Sequence, residues 1–177
     1  MKAKHLTFRD YVTSRQAEAR TVDWEQRKAE WLGSLEQLYG AVEGWLAPFG
    51  ASGVTCERVP VQLDEEQLGQ YQAQALRIAV VDEVAWLQPV GALIIAARGR
   101  VDLRGRWADQ RLVLVPETSA KPTIRVSRGG GAPAQGQPTA EPVYTWRLAT
   151  EPPDVRYLEL TEETFLDALL RAVNADV

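Results

Sequence analysis

The residues best equipped for chemistry lie between positions 98 and 128. Eight bases occur there (Arg98, Arg100, Arg104, Arg106, Arg111, Lys121, Arg125 and Arg128) against three acids, Asp102, Asp109 and Glu117. The rest of the 177-residue chain carries twelve bases and twenty-one acids, so the overall charge of −4 is strongly polarised. Guanidinium forks match carboxylate and phosphate oxygens. Arg98, Arg100, Arg104, Arg106 and Arg111 are therefore candidates for binding an anion or a nucleic acid, with Trp107 placed to stack on a base. In an extended chain Val101 and Leu103 face one side, and Arg100, Asp102 and Arg104 the other. The competing reading of that alternation is a solvated strand face on which Asp102 pairs with its flanking arginines. Arginine outnumbers lysine sixteen to four along the whole chain, which reduces what any single arginine says about function.

A catalytic reading of the same stretch uses Asp102, Glu117 and Lys121. Asp102, the apolar run Leu112–Val115 and Glu117 are similar in layout to the PD-(D/E)xK nucleases, in which two carboxylates hold a divalent metal and a lysine assists the attacking water. Ser119 stands where that lysine belongs, and Lys121 comes two residues late. Other routes to catalysis lack their residues. The single histidine, His5, excludes an HExxH-type centre, and the single cysteine, Cys56, excludes a disulfide framework or a multi-cysteine metal site. Cys56 reads as a small core residue. No GxxxxGK[ST] or GxGxxG cradle is present, and the acidic pairs around Asp64–Glu66 and Asp82–Glu83 lack the spacing of a calcium loop. No metal and no cofactor are expected.

Association is the other candidate activity. Phe8, Tyr11 and Val12 are the few apolar residues of a polar stretch, 8–20, with little to hold it onto its own domain. Trp24 and Trp31 add indoles to the helix that follows, and Trp is enriched where proteins bind one another. These five residues are candidates for a partner surface, the partner being a second copy of the chain in a dimer or another protein. Nucleic-acid or polyanion binding by the 98–128 region is the alternative. The leading expectation is a protein that acts through contacts and has no catalytic centre.

These residues need elements to position them. From Trp24 to Leu46, Trp31, Leu35, Leu38, Val42 and Trp45 recur at steps of three and four, the signature of an amphipathic helix. Asp23 is its cap, and Pro48 with Gly50 stops it. From Val54 onward the period falls to two, giving candidate strands at Thr55–Leu63, Gln72–Val81, Val84–Leu87, Leu93–Ala97, Arg100–Leu103 and Arg111–Val115. A helical turn is expected at Asp64–Gln67. Thr123–Ser127, Val143–Ala149 and Arg156–Leu160 extend the strand series. The separators are too short for crossover helices, so the sheet is expected to be antiparallel. Residues 128–142, rich in Gly, Pro, Ala and Gln, read as a mobile loop. Thr161 caps a last helix that reaches about Asn174.

The sequence thus predicts one α+β domain over 1–177. A helical part covers 1–50, a curved antiparallel sheet of six to eight strands covers 54–160, and a closing helix at 161–175 packs on the sheet. No apolar run approaches the length of a membrane span, and the N-terminus lacks the apolar core of a signal peptide. A cytoplasmic protein is expected.

Overall fold

Asp23 opens the first helix, its carboxylate accepting a hydrogen bond from the Gln26 amide at 2.9 Å. That bond satisfies one of the otherwise unpaired donors of a helix start. The structure is a computed structural model and describes residues 23–92, 97–122 and 142–176. Helix α1, Trp24–Leu46, buries Trp31, Leu35, Leu38, Tyr39, Val42 and Leu46. Pro48 lacks the amide that would extend the ladder. A 3₁₀ segment, Ala47–Ser52, follows, and Gly53 at φ +91° turns the chain into the sheet.

Seven strands form one sheet in chain order, each antiparallel to the next. They are β1 Val54–Glu65, β2 Gly69–Val80, β3 Glu83–Gly91, β4 Gly99–Arg104, β5 Asp109–Pro116, β6 Tyr144–Ala149 and β7 Tyr157–Glu159. The helical turn expected at Asp64–Gln67 does not form. β1 instead continues to Glu65, which pairs with Gly69 across a tight turn. Of the strand expected at Leu93–Ala97 only Ala97 is described, as an isolated bridge. The strand expected at 123–127, and the loop of 128–142 apart from Pro142, lie outside the described residues.

The β1–β2 hairpin changes its core-facing side along its length. Near its base Cys56 and Ile78 face the core, whereas towards its tip Val61, Leu63, Tyr71 and Ala73 do so. The two sets have opposite parity although the register runs unbroken from Val54↔Val80 to Glu65↔Gly69. The ribbon therefore twists through its own axis, as two-stranded ribbons do more strongly than wide sheets. β3 pairs only with Leu76–Val80 of β2, so the tip half leaves the sheet and wraps over the core. There the Tyr71 hydroxyl donates to Glu65, whose carboxylate also accepts from the Ala92 amide at 3.1 Å.

The closing helix α2, Glu162–Val173, starts at a capping box formed by Thr161 and Thr164 and buries Phe165, Ala168, Leu169 and Ala172. Both helices share one face of the sheet and one core, joined where the Trp45 and Phe165 rings lie 5.7 Å apart. Arg58 of β1 ties α1 down from the side, with Nε 2.8 Å from Glu43 and Nη1 2.5 Å from Glu36. Two glycines permit the closest approaches. A Cβ on Gly99 would sit 2.2 Å from the Trp31 ring, and one on Gly105 would sit 2.0 Å from the Ala172 carbonyl oxygen. The turn at Gly105 also caps α2, because the Trp107 amide donates to that carbonyl at 3.1 Å. No described helix is long and apolar enough to cross a membrane.

Candidate functional site: an arginine cluster on the outer sheet face

Val101 and Leu103 are fully buried beneath the helices, so strand alternation turns Arg100, Asp102 and Arg104 to the opposite face of the sheet. Asp102 is only 5% exposed there. Arg100 grips it as a fork, with Nε 2.6 Å from Oδ1 and Nη2 2.9 Å from Oδ2. Arg104 reaches Oδ2 at 3.3 Å. The expected pairing with flanking arginines is present, but the carboxylate is buried and not solvated. A buried carboxylate is tolerated when it is paired and hydrogen-bonded. The two guanidinia over-neutralise this one and are held in place by it.

β5 supplies the third arginine. Arg111 is the register partner of Asp102, is exposed, and makes no ion pair among the described residues. With Gln110, Asp109, Thr150 and Glu151 these residues line a pocket of about 290 Å³ on the outer face. Gln110 fixes one wall by donating its side-chain amide to the Ala149 carbonyl at 2.5 Å. Three arginines face three acids, so the lining has no net charge. Its order suits a discrete anion seated between Arg104 and Arg111 better than a continuous polyanion. Gln110, Thr150 and Glu151 carried no signal in the sequence, because their proximity depends on the β5–β6 register Arg111↔Ala149.

The other basic candidates go elsewhere. Arg98 lies on the helix side of the sheet, 3.0 Å from Glu30 of α1 and with its guanidinium carbon 4.6 Å from the Tyr144 ring centroid. Arg106 sits in the β4–β5 turn, 3.4 Å from Glu83 and 4.9 Å from the ring of Trp107. Trp107 is 49% exposed. The arginines from 98 to 111 are thus divided between both faces and a turn.

The residues of the catalytic reading are not brought together. Asp102 lies opposite Arg111, and Glu117 follows six residues further along the same direction. At the rise of an extended strand that is about 20 Å away. Lys121 is exposed in the segment beyond Glu117. Asp102 is already engaged by two arginines, which opposes a metal ion at its oxygens. Among the described residues no group of three or more His, Cys, Asp or Glu side chains is arranged to hold a metal ion. Cys56 is half-buried, and burial, with Glu43 nearby, pushes its thiol pKa up, which disfavours the nucleophilic thiolate.

Among the partner-surface candidates, Phe8, Tyr11 and Val12 lie outside the described residues. Trp24 is half-buried in the first turn of α1. Trp31 is 1% exposed, packed on Gly99 and 6.0 Å from the Trp146 ring, so it fills the core and is not available to a partner. Comparison with known proteins finds no matching family model, no matching curated protein and no matching solved structure.

Proposed function

We propose that the protein works by binding, without chemistry of its own, and that the outer face of β4 and β5 takes an acidic side chain of a partner protein. The observation that supports this is the trio Arg100, Arg104 and Arg111 gathered around buried Asp102. The Asp102 pairings hold two guanidinia in position before any partner arrives, and preorganised donors lose less entropy on binding. Arg111 is left to complete the fork on an incoming carboxylate. Asp109 and Glu151 on the rim oppose a phosphate backbone, which favours a protein partner over a nucleic acid. The single unpaired cysteine fits a reducing compartment such as the cytoplasm.

The test compares a fluorescent peptide carrying one glutamate among neutral residues with a single-stranded oligonucleotide, each titrated into the intact protein at low and physiological salt. Saturable peptide binding that weakens about tenfold in Arg104→Gln/Arg111→Gln is the expected result. Tighter, steeply salt-dependent binding of the oligonucleotide would transfer the face to nucleic acid. Binding of neither probe would end the proposal.

A further inference from the structure

A second pocket lies on the opposite face of the sheet, between the first half of α1 and strands β5 and β6, and owes nothing to the arginine cluster. It measures about 370 Å³, at the small end of the range in which proteins take small organic ligands. Its polar wall follows from helical spacing. Arg27, Glu30, Ser34 and Gln37 recur at steps of three and four, beside the apolar stripe that α1 buries. Its apolar wall is Tyr144, Leu114 and the edge of Trp31.

Charge defines what the pocket would take. Arg98 enters from the sheet side, held by its backbone N–H, which donates to the Leu114 carbonyl at 2.7 Å, and by its ion pair with Glu30. Glu30 is thereby used. Arg27 has no ion pair among the described residues, and its Nε–H is buried without a hydrogen-bond partner. Burial, and then the proximity of Arg98, hold the Arg27 pKa below the usual arginine value. Two guanidinia that repel one another across a half-enclosed cleft, with one carboxylate between them, leave a place for an anion. The floor is rigid: the Trp146 indole N–H donates to the Ser34 carbonyl at 3.0 Å, and the Ser34 hydroxyl donates to the Glu30 carbonyl at 2.8 Å.

We propose that this cleft binds a small aromatic anion, an aryl carboxylate or aryl phosphate, with the anionic group between Arg27 and Arg98 and the ring against Tyr144 and Leu114. A cation is disfavoured by the two arginines. A purely apolar ligand would leave them desolvated and unpaired, which is costly. An inorganic anion would gain the charge contacts but leave the apolar wall wet.

Phenyl phosphate titrated into the full chain, followed by tryptophan fluorescence, tests this because Trp31 lines the cleft and the Trp146 ring lies 6.0 Å from that of Trp31. Saturable binding is expected, weakened about tenfold in Arg27→Gln and in Arg98→Gln, with inorganic phosphate at least several-fold weaker than phenyl phosphate. Both arginines are only half-buried, so the two variants should keep the parent circular dichroism and melting profile. Arg77→Gln on β2, which lines neither pocket, should bind phenyl phosphate as the parent does. Arg27→Gln and Arg98→Gln leave the outer residues intact, so either site can fail alone. Lack of saturation at millimolar ligand, equal affinity for inorganic phosphate, or unweakened binding in both Arg27→Gln and Arg98→Gln would each overturn the assignment.

Discussion

Replacing Asp102 with alanine probes the outer face most directly. The variant removes a carboxylate that is 5% exposed and leaves Arg100 and Arg104, with Arg111 across the strand pair, as neighbours without a counter-charge. Breaking a buried ion pair costs about 3–5 kcal/mol when the surviving charge stays buried. Here the Arg100 and Arg104 side chains are 29% and 53% exposed, so water replaces much of what is lost. Discounted for that screening, the cost is about 1–2 kcal/mol. A chain of this size loses about 2–4 °C of melting temperature per kcal/mol, so Tm should fall by about 2–8 °C. Thermal and urea unfolding of Asp102→Ala, Arg100→Gln and the double variant give the measurement. If the fork is the source of the stability, the double variant should lose less than the sum of the two single losses, by about 1 kcal/mol. High salt should reduce the Asp102→Ala effect only in part, since the carboxylate itself is mostly shielded from solvent ions while the arginines are partly open to them. Unchanged unfolding of Asp102→Ala, or strictly additive losses, would refute the view that this carboxylate organises the arginines.

Other outcomes follow from the same packing. Gly105→Ala places a methyl against the Ala172 carbonyl, a backbone atom that cannot swing aside; it should cost about 1–3 kcal/mol or more, read as a lowered urea midpoint. Trp31→Ala empties the space over Gly99 and should cost about 3–5 kcal/mol, enough to lower the melting temperature by many degrees. Tyr39 and Tyr71 have pKa values raised above the ordinary 10, in both cases chiefly by burial and at Tyr71 also by its bond to Glu65. The unfolded chain therefore releases these protons first, so their contribution is intact below about pH 10 and is lost as pH climbs above it. Tyr39→Phe should flatten that alkaline decline in urea midpoints; an unchanged slope would count against it. Finally, Phe8, Tyr11 and Val12 are expected to pair two copies of the chain. Light scattering should report a dimer that becomes a monomer when residues 1–20 are deleted, and a clean monomer mass for the intact protein would end that expectation.

The helices were legible because their signals are local. Asp23 and Thr161 cap where their types suggest, and the three-and-four spacing from Trp31 to Leu46 is the face that packs. The meander was legible for a similar reason, since links as short as that between Val80 and Glu83 admit only a hairpin. What escaped the sequence depends on pairs far apart in it. Trp31 stood both in the apolar stripe of α1 and among the partner candidates, and the space that receives it is made by the missing side chain of Gly99, sixty-eight residues away. Cys56 and Val61 face the same core from opposite parities because a ribbon twelve residues long twists, and no residue type announces twist.

The charged stretch shows the limit most clearly. Counting bases between 98 and 128 adds Arg98 to Arg100, yet the fold puts the first against α1 and the second on the outer face. Pairing Asp102 with Glu117 as metal ligands ignores that an antiparallel hairpin turning at 105–108 brings Asp102 to Arg111, so the acid further on is carried away from it. In such a sheet the neighbours of a side chain are set by the turn position and by period two. A binding face built on it is therefore written in register, as Arg111 beside Asp102 beside Arg100, and not in any contiguous motif. That also dictates where disruption should be sought. A one-residue slip of the β4–β5 register would move Arg111 to the core side and turn Leu112 and Leu114 outward. The cell of three arginines would be lost while every one of its residues remained in the chain.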